Sequence, residues 1–111
     1  MKIAFDVKGT LVGHHQEKVR KLFHYLVCPE NKMFVWSNSW EYAYTTVEDL
    51  NLLATPELKK SARDLEDWNR PLMDIAIEDD KSQTWLGAKK IIWVDEIPDD
   101  VAKFAKKLME G

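Results

Sequence analysis

The chain of 111 residues is long enough for one hydrophobic core and too short for two, and it leaves no room for a separate substrate-enclosing domain. With 45% hydrophobic and 32% charged residues, and five tryptophans among its aromatics, its composition excludes a disordered or low-complexity chain. The net charge of −3 supplies no basic excess for gripping a phosphate backbone, so nucleic-acid binding is not indicated.

The elements follow in chain order. Lys2–Phe5 is a short apolar run ending at Asp6, which reads as a buried strand. Gly9 and Gly13 mark the loop after it. Val19, Leu22, Phe23 and Leu26 repeat at helical spacing, predicting a helix over 15–27 that Pro29 stops. Lys32–Trp36 reads as a second strand, closed by Ser37-Asn38-Ser39. Ser39 is placed to cap a helix over Trp40–Leu50. Thr55 and Pro56 have the form of a cap and first residue of another helix, reaching to about Trp68. Leu72–Ile77 is a third strand ending in Glu78-Asp79-Asp80. A short helix is predicted around Ser82–Leu86, a fourth strand over Lys90–Val94, and a last helix after Pro98 with Asp99 and Asp100 at its start.

Strands and helices therefore alternate, and the strands are apolar throughout rather than alternating with polar residues. That pattern predicts one domain over 1–111. Its expected form is a three-layer α/β/α sandwich around a mainly parallel, Rossmann-like sheet. No apolar run approaches the roughly 20 residues of a membrane span, and Met1–Asp6 turns acidic too soon for a signal peptide. A cytoplasmic protein without a membrane partner is expected. The single cysteine, Cys28, fits a reducing compartment and reads as a small packed thiol.

Ligands of open parallel sheets bind at the carboxyl ends of the strands. Three predicted strands end in polar groups there: Asp6, then Ser37-Asn38, then Glu78-Asp79-Asp80. Convergent carboxylates suit a hard cation such as Mg²⁺. A hydroxyl beside them can hold phosphate oxygens, and a carboxylate can attack phosphorus.

These segments resemble the haloacid dehalogenase (HAD) superfamily. Phe5-Asp6-Val7-Lys8-Gly9-Thr10-Leu11-Val12 is similar to its first motif, Val35-Trp36-Ser37-Asn38 to its second, and Ile75-Ala76-Ile77-Glu78-Asp79-Asp80 to its fourth. The third motif is a lysine, matched by Lys60 in preference to Lys59. The receiver domain of response regulators has a similar size and residue set, but its acidic pair comes early and its lysine late, opposite to the order here. The resemblance implies a phosphohydrolase acting through an aspartyl-phosphate on Asp6. Lys60 and Lys8 join Asp6 as catalytic residues, and Ser37, Asn38 and Thr10 bind substrate. Mg²⁺ is implied on Asp6, Asp79, the Lys8 carbonyl and Glu78, with Asp80 an alternative helper.

Lys8 departs from the family pattern, in which an aspartate two residues after the nucleophile protonates the leaving group and then activates water. An ammonium does neither readily. Two outcomes stay open for Lys8: it leaves the metal site intact through its carbonyl, or its charge stands in for the cation. Two functions stay open with them, a working phosphatase and a non-catalytic HAD-like binding domain. The short stretches on either side of Ser37 leave no room for a cap, so the phosphorylated substrate is expected to be large or exposed, such as a phosphoprotein or a nucleic-acid end. His14, His15, Trp40, Trp85 and Asp95 lie near the predicted strand ends and read as loop, helix-packing or surface residues.

Overall fold

The computed structural model describes residues 1–59, 72–83 and 86–111. The described strands are β1 (Lys2–Asp6), β2 (Lys32–Ser37), β3 (Thr55–Leu58), β4 (Met73–Glu78) and β5 (Ala88–Trp93). The helices are α1 (Gln16–Leu26), α2 (Trp40–Leu50) and α3 (Val101–Glu110), and a 3-10 turn spans Val94–Glu96. All strand pairs are parallel, in the order β3-β2-β1-β4-β5. The chain thus winds outward from β1 to one edge, then restarts on the other side of β1. The order reverses between β1 and β4, and a crevice opens at that point beyond the carboxyl ends of the strands.

The pleat sorts side chains by parity. Ile3 and Phe5, Met33 and Val35, and Ile75 and Ile77 face the larger core, where all three helices pack. α1 contributes Val19, Leu22, Phe23 and Leu26, as its spacing predicts. Phe23 meets Phe5 edge-on, with centroids 5.2 Å apart. Ala4, Phe34 and Ala76 face the other way and form a smaller cluster around Trp36, joined by Met73 at the start of β4 and by Leu86. Among the described residues no helix packs on that second face, so one helical layer of the expected sandwich is present in them.

α2 has the bounds read from the sequence, and the Ser39 hydroxyl accepts a hydrogen bond from the Tyr42 amide at 3.3 Å. Asn51 ends this helix in the left-handed conformation (φ 51°), and the Leu52 amide bonds back to the Val47 carbonyl at 3.0 Å.

Two expected helices are corrected. The helix expected to start at Thr55-Pro56 is instead strand β3 where it is described; residues 60–68 of that prediction lie outside the described residues. A Thr-Pro pair serves equally at a helix start and on a sheet edge, where proline's missing N–H costs no ladder bond. β3 is such an edge, paired only with β2 among the described strands. The segment around Ser82–Leu86 is a turn and an isolated bridge where described, and Thr84 and Trp85 lie outside the described residues. Ser82 hydrogen-bonds the Asp80 carboxylate through both its amide (3.0 Å) and its hydroxyl (2.6 Å), and this local turn competes with helix.

The last helix begins at Val101, where the Asp100 carboxylate accepts from the Lys103 amide at 3.1 Å. Val101, Ala105 and Leu108 are buried, and Phe104 packs beside them. Replacing this cap, Asp100→Ala, is expected to cost about 1 kcal/mol of stability. Urea unfolding checks it, with an unchanged slope and a lower midpoint.

Candidate functional site

Pleat parity also builds the site. Asp6 pairs in register with Trp36, and the register of β1 with β4 runs on from Phe5 opposite Ile77. Trp36, Asp6 and Glu78 therefore stand side by side on three adjacent strands, all toward the second face. β3 pairs Leu58 with Ser37, and the Lys59 amide continues the ladder by donating to the Ser37 carbonyl at 2.9 Å. The strand, not a helix, delivers Lys59 to the same edge and face.

The Lys59 ammonium is buried between two carboxylates. Its Nζ lies 2.8 Å from Asp6 Oδ1 and 2.7 Å from Glu78 Oε1. It also donates to Gln83 Oε1 at 3.2 Å. The Trp36 indole N–H donates to the other Glu78 oxygen at 2.7 Å. Glu78 is fully buried, and both its oxygens are engaged by protein groups. The lysine that reaches Asp6 among the described residues is Lys59. Lys60, preferred from the sequence, lies outside the described residues.

Two buried carboxylates share one cation, and the imbalance appears in their protonation. Burial raises the Asp6 carboxyl to about 7; the Glu78 charge adds to this, Lys59 opposes it, and Asp79 nearby raises it further. Glu78 is also raised by burial, against the pull of Lys59 and the Trp36 hydrogen bond. The two carboxylates hold Lys59 above its usual range despite its burial.

Asp79 follows β4 directly and lies across the crevice from Asp6. The buried Thr10 hydroxyl is 3.5 Å from both Asp6 Oδ2 and Asp79 Oδ1, so it braces the two carboxylates. Gly9 makes this approach possible. Its φ is +81°, and an added Cβ would fall 1.9 Å from Asp79 Oδ2. The loop is fixed by the Thr10 and Val12 amides, which donate to the Val7 carbonyl at 3.1 and 3.0 Å.

Above these groups is an open depression of about 570 Å³, within the size range of small-molecule sites. Asp6, Ser37, Lys59 and Asp79 line it together with the exposed Lys8 and Asn38. Six of the eight residues expected at the site therefore meet there: Asp6, Lys8, Ser37, Asn38 and Asp79 at its surface, and Thr10 beneath them. Glu78 lies behind Lys59, and Lys60 is not described. Among the described residues, Lys8 forms an ion pair with neither Asp6 nor Asp79; the cation on Asp6 is Lys59. His14 and His15 do not line the depression. Asp95 pairs with Lys81 at 2.8 Å on the surface. Trp40 is exposed and stacks on Tyr44 with centroids 5.1 Å apart.

Sequence reasoning missed Tyr42 and Gln83, which also line the depression. Tyr42 carried a signal: it sits in the first turn of the helix that Ser39 caps, beside Ser37-Asn38. Gln83 carried none.

Among the described residues no group of three or more His, Cys, Asp or Glu side chains is arranged to hold a metal. Two carboxylates are enough for Mg²⁺, which keeps most of its waters. Asp6 Oδ2, left over by Lys59, and Asp79, on the same Thr10 hydroxyl, are hard-oxygen donors of that kind. The donor set fits a hydrated divalent cation. Comparisons with known protein families, characterised proteins and solved structures give no match to the chain.

A carboxyl raised from 3.8 to about 7 favours the folded state while protonated. Its contribution is whole below pH 3.8 and is lost as the pH rises through 7. Asp6→Asn is therefore expected to melt above the parent protein at pH 8, with the difference closing toward pH 4, in thermal scans without added metal. Gly9→Ala is expected to lose more stability in urea unfolding than the roughly 1 kcal/mol typical of single substitutions, because it strains the backbone and displaces Asp79.

Proposed function

We propose that the protein is a capless, HAD-like phosphohydrolase with a three-layer fold, acting through an aspartyl-phosphate on Asp6. The observation that carries this reading is the pairing of Asp6 and Asp79 across the strand-order reversal, with Lys59 on one Asp6 oxygen and Ser37 on the next strand end. The second apolar face, with Trp36 at its centre, would be the inner side of the third layer.

In the first step Asp6 Oδ2 attacks phosphorus, the P–O bond to the leaving group breaks, and that oxygen leaves with the electron pair. In the second step water attacks phosphorus, the Asp6–O–P link opens, and inorganic phosphate leaves as the carboxylate is restored. Lys59 fixes Oδ1 so that Oδ2 faces the depression, and its charge opposes the build-up of negative charge during transfer. Ser37 and Asn38 hold the equatorial oxygens. Glu78 acts on Lys59 from behind, and Trp36 holds Glu78. Mg²⁺ on Asp6, Asp79 and the Lys8 carbonyl would neutralise phosphoryl charge.

A nucleophilic carboxylate must be ionised. With Asp6 raised to about 7, phosphoryl transfer in metal-free protein should rise with pH through neutrality. A second reading, a non-catalytic domain that binds a phosphorylated ligand, is favoured by one observation: the exposed Lys8 at the depression, where an acid would serve turnover.

Calorimetric titration of Mg²⁺ with beryllofluoride separates the two. The phosphohydrolase reading expects saturable binding that Asp6→Asn abolishes, and Lys8→Asp should speed turnover of phosphate esters by roughly 10²-fold or more, the usual size of a general acid–base contribution. Binding that survives Asp6→Asn, with no turnover in either protein, supports the binding domain instead.

A further inference from the structure

The outer face of α2 combines two features. The first is a pair of aromatic rings. Trp40 and Tyr44 lie one helical turn apart and stack with centroids 5.1 Å apart and planes 20° from parallel. They are 46% and 44% exposed, although the helix packs on β2 and β3 and buries Ala43 and Thr46. Single apolar side chains on a surface are ordinary, but an exposed stacked pair marks a contact surface.

The second feature is charge. Glu41, Glu48 and Asp49 are exposed on the same helix. Helical spacing sets Glu48 one turn beyond Tyr44 on the same stripe, and Glu41 three residues before Tyr44, beside it. Each ring therefore has a carboxylate neighbour. No Lys, Arg or His occurs between positions 33 and 58, so all 16 Lys and Arg of the chain lie outside this stretch.

Rings flanked by carboxylates suit a cation on an apolar stem. The face of the ring attracts the charge, the stem lies along the ring, and the carboxylate completes an ion pair. Lys and Arg side chains have that form. The same carboxylates repel phosphates, which sets nucleic acid and anionic lipid aside. From Trp40 to Glu48 the stripe runs about 12 Å at 1.5 Å per residue, the length of about four residues of extended chain. It begins beside the depression, which Asn38 and Tyr42 line from either side of Trp40 in the chain.

We propose that the outer face of α2 is a docking surface for an extended, Lys- and Arg-containing segment of a partner protein. Its cationic side chains lie over Trp40 and Tyr44, beside Glu41 and Glu48. Docking needs no turnover at Asp6, so this proposal stands apart from the phosphohydrolase reading. If both hold, a docked segment brings a neighbouring phosphorylated residue to the depression.

The test is fluorescence anisotropy of a dye-labelled octapeptide alternating arginine and serine, titrated with the full chain at about 0.15 M salt, beside its glutamate–serine counterpart. The arginine peptide should bind saturably and the glutamate peptide should not. Trp40→Ala leaves the net charge unchanged and should weaken binding about 2–5-fold, the size of one exposed cation–π contact, with partial recovery in Trp40→Phe. Glu41→Gln combined with Glu48→Gln should weaken it about 3–10-fold. The same charge change at the exposed Glu17 and Glu110 should have a clearly smaller effect. Equal weakening by the two glutamine pairs would reduce the effect to net charge and overturn the docking surface. Binding unchanged in both Trp40→Ala and Tyr44→Ala, or no saturable binding, would also overturn it. Sedimentation of the protein alone tests the other occupant: self-association lost in Trp40→Ala would mean that a second copy of the chain covers this face instead.

Discussion

The site depends on one buried ammonium shared by two buried carboxylates. Lys59 lies under 3 Å from both Asp6 and Glu78, with little water to screen any of them. Removing the shared ammonium from such a cluster typically costs about 3–5 kcal/mol, because two buried carboxylates are left uncompensated. The cluster is also one charge short of neutral. Burial, with that shortfall added, keeps Asp6 poised near neutrality, and Asp6 Oδ2 and Asp79 form a pocket of negative charge that a cation or a proton would relieve. Stability and chemistry pull in opposite directions at this carboxylate.

The sheet makes the arrangement possible. Because β2, β1 and β4 are adjacent and parallel, Trp36, Asp6 and Glu78 stand in one row on one face. The row closes as a chain of contacts, from the indole of Trp36 through Glu78 and Lys59 to Asp6. The second face is apolar at its centre and polar at its carboxyl edge, with Trp36 serving both. The reversal of strand order then places Asp79 across from Asp6, and Gly9 lets the two approach by lacking a Cβ.

Much of this was legible in the sequence, for physical reasons. Apolar runs ending abruptly in Asp6, Ser37 and Asp79 mark strand ends, and parallel sheets gather those ends at one edge. The helical spacing of Val19, Leu22, Phe23 and Leu26 and the Ser39 cap are local signals, and both helices formed where they were read. Thr55-Pro56 misled because its chemistry suits two elements, and pairing with β2 decided between them. That choice also moved the site lysine to 59, since a strand presents alternate residues to a face and a helix does not. The role of Glu78 was illegible in any local window. It depends on an indole two strands away, and its place beside Asp79 and Asp80 suggested a metal ligand instead. Tyr42 needed the cap and the strand end to be taken together.

The central claim is that Asp6 carries the phosphoryl group. Its most direct measurement is acid-quenched peptide mass spectrometry of the protein after brief mixing with phenyl phosphate at pH 8, where Asp6 is ionised. The account predicts a phosphoryl adduct on the peptide holding Asp6, growing in step with phenol release and missing from Asp6→Asn. Phenol released with no adduct on that peptide, or an adduct on another residue, would contradict it.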